Sequence, residues 1–237
     1  VKGPALSQTG YGEQTRFALR ALRSRPELFD IYLLNLEWGK SNHIIEDDEE
    51  HAWLVQTIRK TAQLMQSNNG RVAFDLSLQV TIPNEFEKMA PVNIGYTAGI
   101  ETTKVSPVWL QKCNEIMDKV IVVSNHSKNV FVNTVVEAQD QNGNKFPYKL
   151  DIPMEVVNYP TKPKELKTVE LDLPYEFNYF TTSQWGPRKN LENTIRWFVE
   201  ENIDQEVGLV VKTNSYKNCT IDREFTHRRL QSLLAPY

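Results

Sequence analysis

Short apolar runs alternate along the chain with stretches in which apolar residues recur every three or four positions, the signatures of strand and helix respectively. A first helix carries Phe17, Ala21 and Leu22, and the run Phe29-Asp-Ile-Tyr-Leu-Leu-Asn-Leu36 reads as the strand after it. A helix is predicted over 48–66, with Leu54, Ile58 and Met65 near one face, and strands follow at 72–80 and 92–96. Ser106-Pro107 marks another helix start, because serine can cap free amides and proline suits the first helical position. Trp109, Cys113, Ile116 and Met117 then fall at i, i+4, i+7 and i+8 as its buried stripe. Residues 119–123 suit only a short buried strand. Ser124 is placed to cap the next helix, which runs on through Val130, Phe131, Thr134 and Val135. A turn is expected around Asp140-Gln-Asn-Gly143, and a strand over 150–157.

Strands alternating with crossover helices imply an α/β fold, a Rossmann-like doubly wound parallel sheet, over residues 1–160. The character changes over 161–176. Lys162, Pro163, Lys164 and Lys167 crowd together, and Leu171-Asp-Leu-Pro174 shows no period, which suits an interdomain linker. The α/β rhythm then restarts, with a strand at 177–182, a helix at 191–202 and a strand at 207–212. Leu191, Ile195, Phe198 and Val199 form the apolar face of that helix. Residues 177–237 are therefore expected to open a second Rossmann-like domain. The chain starts at Val1 without Met and stops at Pro236-Tyr237 without a helix-ending signal, so both ends read as cuts within a longer protein.

Composition narrows the choice of function. The 237 residues are 40% hydrophobic and 24% charged, enough apolar material for a sizeable core. A formal net charge of −3 argues against a general nucleic-acid binder, which needs a basic face. No apolar run approaches the roughly 18 residues of a membrane span. Cys113 and Cys219 make neither a disulfide framework nor a zinc pattern, and a reducing, cytoplasmic setting is the expectation. Asn125-His-Ser127 and Asn218-Cys-Thr220 match the glycosylation acceptor triplet, a pattern that arises often by chance.

Four local features carry candidate chemistry. Gly10-Tyr-Gly12 sits between a short opening strand and the first helix, where a small residue lets backbone approach a ligand and amides attract phosphate. Followed by Glu13, Gln14 and Thr15, it lacks the third glycine of the dinucleotide fingerprint. Gly95-Tyr-Thr-Ala-Gly99-Ile-Glu101 follows a strand, and Glu101 is suited to accept hydrogen bonds from sugar hydroxyls. His126 and Lys128 lie at a helix N-terminus, where a cation gains nothing from the helix dipole. Trp185-Gly-Pro-Arg188-Lys189-Asn190 joins the second domain's first strand and helix, and its two cations beside a helix start suit a pyrophosphate. Each has an ordinary structural reading too: a tight turn, a solvated loop carboxylate, a structural histidine, a solvated turn.

Taken in order, Gly95–Glu101, Asp118-Lys-Val-Ile-Val-Val-Ser124 and the Lys189-Asn190 turn resemble the large retaining glycosyltransferase group often called family four. The resemblance implies two Rossmann-like domains in the GT-B arrangement, with an acceptor-side first domain and a nucleotide-sugar-binding second domain. It implies a nucleotide-diphosphate sugar as donor, a glycan, lipid or small molecule as acceptor, retention of configuration, and no metal or other cofactor. Lys189, Arg188, Gly10 and Gly12 are then expected at the donor diphosphate, and Glu101 and His126 at the acceptor or sugar. The catalytic residue is not assigned. Ser183-Gln184 stands where the family has Gly-Arg, with Arg188 available to compensate. The family's paired glutamates, seven residues apart, would lie beyond Tyr237, so the chain alone is expected to lack transferase activity. A GT-B-shaped sugar-nucleotide epimerase and a non-catalytic sugar- or nucleotide-binding module remain the alternatives.

Overall fold

The computed structural model describes residues 1–44, 48–163, 165–166 and 168–237; Lys164 and Lys167 of the expected linker lie outside them. The described residues fall into two compact units. The first comprises Val1–Trp38 and His43–Lys162, and the second Gly39–Asn42 and Pro163–Tyr237.

The first unit is an α/β layer structure. Its elements run β1 (Lys2–Gly3), α1 (Gly10–Arg23), β2 (Leu34–Asn35), α2 (Glu49–Ser67), β3 (Leu76–Val80), β4 (Val92–Tyr96), α3 (Pro107–Ile116), β5 (Lys119–Val122), α4 (Asn125–Asn133), β6 (Val136–Gln139), β7 (Lys145–Tyr148) and β8 (Met154–Val156). Six strands make one parallel sheet in the order β2-β1-β3-β4-β5-β8, flanked by helices. The strands β6 and β7 form a separate antiparallel hairpin around the expected Asp140 turn. From β1 the chain steps one way to β2 and then back past β1 to β3. Open α/β sheets bind ligands in the crevice at such a reversal, outside the carboxyl ends of the strands.

Local sequence accounts for the elements. Asp48 accepts a hydrogen bond from His51 N to start α2, and Ser124 accepts one from Ser127 N to start α4. Pro107 takes the first position of α3, but Ser106 supplies no side-chain cap there. The main core lies between α3, α4 and the strands, with Leu110, Cys113, Val120, Val122 and Phe131 fully buried. Leu110, outside the expected stripe, is the deepest residue of α3 together with Cys113.

Three expectations fail for packing reasons. Helix α1 turns Gly12, Gln14, Thr15, Arg16 and Leu19 inward while Ala21 is exposed, so its inner face is mostly polar and escapes a hydrophobic count. The strand expected over 29–36 shrinks to Leu34–Asn35, and Met65 of α2 is 40% exposed.

The second unit has β9 (Phe177–Gln184) and β10 (Val207–Asn214), paired in parallel over eight positions, with α5 (Leu191–Asn202) between them and α6 (Thr220–Leu234) after them. Trp185, Leu191, Ile195 and Leu233 form its core. Lys212 lies within β10, which runs two residues past it.

Candidate functional site

At the carboxyl end of β1, residues 4–9 lead into α1, and this loop is held from beneath. Arg16 is 7% exposed, and its Nη1 donates to the carbonyls of Ala5 (2.7 Å) and Ser7 (2.9 Å). Glu13 pairs with the same guanidinium at 2.7 Å. Asn35 of β2 accepts from Leu6 N at 3.0 Å, and Thr9 Oγ1 accepts from Gly12 N at 3.2 Å, closing the first turn of α1. A buried guanidinium needs this many partners, so its burial is also what fixes the loop.

The first turn of α1 then reaches across to the loop after β4. Tyr11 Oη lies 3.0 Å from Thr97 Oγ1 and accepts from Ala98 N at 3.2 Å. Gln14, 1% exposed, donates to the Thr97 carbonyl at 3.2 Å and accepts from Tyr159 Oη at 3.4 Å. Trp38 packs against Tyr11 with ring centroids 4.5 Å apart. Burial pushes the phenols of Tyr11, Tyr96 and Tyr159 above their ordinary value. All three stay neutral near pH 7, and around Tyr11 the edge offers hydroxyls and amides.

The expected residues distribute unevenly around this edge. Gly10 is the first residue of α1, and a side chain there would meet no atom within 4 Å, so the backbone is open to a ligand. Gly12 is not open: a Cβ would sit 2.0 Å from the Ser7 carbonyl oxygen, and this glycine serves loop packing. Gly95 lies within β4, not after it, and is required by the Phe86 ring, 2.5 Å from where a Cβ would stand. Glu101 is exposed on the loop following β4, and His126 is exposed in the first turn of α4. Ile100 N donates to Ser127 Oγ at 3.2 Å, which ties the two neighbourhoods together. Since the strands are parallel, Gly10, Glu101 and His126 share the carboxyl edge.

Arg188 and Lys189 belong to the second unit, on an exposed 3-10 turn, Pro187–Lys189, between β9 and α5. Asn190, in a left-handed conformation with φ 50°, leads into α5 without a side-chain cap, leaving that helix start open to a ligand. Glu192 within the same first turn is paired to Arg196 and Arg229, both at 3.3 Å.

Sequence reasoning missed Gln14, Arg16, Thr97 and Tyr159. The available signal was the unbroken polar stretch Glu13-Gln-Thr-Arg16 inside a helix that must pack on a sheet. Polar strand positions behave alike: Gln79 and Asn93, 0% and 1% exposed, bond the 87–90 segment, and Asp118 accepts from Asn93 N at 2.8 Å. Asp118, part of the family-like motif, therefore has a structural task.

Comparison with family models, curated proteins and solved structures yields no match to this chain.

Proposed function

We propose that the chain comprises the acceptor-side domain and the opening of the donor domain of a GT-B glycosyltransferase. It would move a sugar from a nucleotide diphosphate to a hydroxyl acceptor with the retention that the family resemblance implies. The observation that best supports this is the neutral hydroxyl and amide edge at the β1/β3 reversal, built from Tyr11, Gln14, Thr97 and Tyr159. Sugars are recognised through hydroxyls, and preorganised hydroxyl and amide groups beside an aromatic pair suit them.

In this reading Glu101 and His126 bind acceptor hydroxyls. The open start of α5, with Lys189 and Arg188, neutralises the diphosphate as the bond from sugar carbon to leaving oxygen breaks. Rate acceleration would come from positioning and from stabilising that departing charge.

The test is titration of the chain with several nucleotide-diphosphate sugars, followed by backbone NMR. Weak binding that shifts the amides of 186–193, falls with added salt and is lost in Lys189→Ala is expected. Product analysis on a form extended past Tyr237 to include the paired glutamates separates transfer from epimerisation: a new glycoside with released nucleotide supports the proposal, and an epimerised nucleotide sugar contradicts it.

A further inference from the structure

Two asparagines are followed by glycine: Asn69-Gly70 after α2, and Asn142-Gly143 in the turn between β6 and β7. A glycine nitrogen reaches the preceding side-chain carbonyl with less hindrance than that of any other residue, because no Cβ stands beside it. Both asparagines are exposed, and neither side-chain amide is held by a hydrogen bond among the described residues. Only the local fold separates the two pairs.

Asn69 closes the end of a 19-residue helix. It is left-handed, with φ 50°, and its N–H donates to the Gln66 carbonyl at 3.2 Å. Gly70 N then donates to the Met65 carbonyl at 2.7 Å, which completes a Schellman cap. For Gly70 N to reach the Asn69 side chain, that cap and the last turn of α2 must open together. Asn142 is held less firmly. Strands β6 and β7 are four residues each and form a sheet of their own, apart from the six-stranded one. An isolated two-stranded hairpin is marginal in water. Gly143 N donates to the Asp140 carbonyl at 3.1 Å, and the Asp140 side chain accepts from Asn142 N and Asn144 N, both at 2.8 Å. Exposed hydrogen bonds of this kind belong to the part of a fold that opens most readily.

We propose that Asn142 is a site of spontaneous deamidation, and that its helix cap protects Asn69. With the turn open, Gly143 N gives its proton to hydroxide and attacks Asn142 Cγ. The new C–N bond forms, the bond from Cγ to Nδ2 breaks, and ammonia leaves with a proton from water, giving a succinimide ring. Water then adds to either ring carbonyl and opens it to aspartate or isoaspartate.

Both products change the hairpin. A carboxylate at 142 stands close to that of Asp140, which hydrogen bonds from the Asn144 side chain and backbone already hold below the usual carboxylate range. The like charges repel. Isoaspartate also lengthens the main chain by a methylene, which disturbs the pairing of Gln139 with Lys145. Val136 and Tyr148, at the other end of the hairpin, pack on the main core and lose support. The inference is independent of the proposed reaction.

The test is incubation of the chain at pH 8, native and in urea, followed by proteolysis and mass spectrometry of the peptides that carry residues 69 and 142. In urea both asparagines should convert at similar rates, since each precedes glycine. In the native chain Asn142 should convert at least about tenfold faster than Asn69. Equal native rates, a faster Asn69, or conversion at 142 in urea alone would overturn the proposal. The converted fraction should exchange the amides of 136–148 faster than the unconverted one, and unchanged exchange there would contradict the effect assigned to the hairpin.

Discussion

Of three glycines at strand and helix ends, two leave no room for a side chain and one does, and substitution separates them. Gly12→Ala must displace the Ser7 carbonyl, which cannot yield because Arg16 and the turn hold it. The expected loss is about 1–3 kcal/mol in urea unfolding, the range of overpacking. Gly95→Ala presses on the buried Phe86 ring and should behave similarly. Gly10→Ala meets empty space and should change stability by no more than about 0.5 kcal/mol. It should instead weaken any ligand whose approach depends on bare backbone there. The two cysteines differ just as sharply. Burial pushes the Cys113 thiol up to about 12, while Cys219 is exposed. A thiol reagent at pH 8 should label Cys219 in the native protein and reach Cys113 only after unfolding, which mass spectrometry would read directly.

At the scale of elements, the link between α1 and the loop after β4 rests largely on one hydroxyl. Tyr11→Phe removes the partner of both Thr97 Oγ1 and Ala98 N. A loss of about 1–2 kcal/mol is expected, with faster amide exchange at Ala98.

Much of this layer was legible in the sequence. The expected bounds of β4 and α5 coincide with the structure, because alternating or helical apolar patterns there agree with capping and turn residues. The inner face of α1 was not legible: Gln14, Thr15 and Arg16 are buried by hydrogen bonding to distant loops, which no local period records. The short β2 was overestimated because Phe29 and Leu34 look like strand core yet stay 39% and 44% exposed. The packing roles of Gly12 and Gly95 were hidden for the same reason: only tertiary contact shows what a Cβ there would meet.

At the scale of the whole molecule, the two units carry different chemistry. The first offers neutral hydroxyls and amides at the carboxyl edge of a parallel sheet, and the second offers two cations at the start of α5. Among the described residues, no helix is long and apolar enough to cross a membrane. The central claim is that a nucleotide-diphosphate sugar is recognised through its diphosphate at 186–193. It is tested most directly by an NMR titration of the chain with such a sugar, at low and moderate salt, beside Lys189→Ala. Shifts concentrated at the amides of 186–193, weakened by salt and absent in the variant, are expected. Shifts confined to other regions, or shifts at 186–193 that survive both salt and Lys189→Ala, would contradict it.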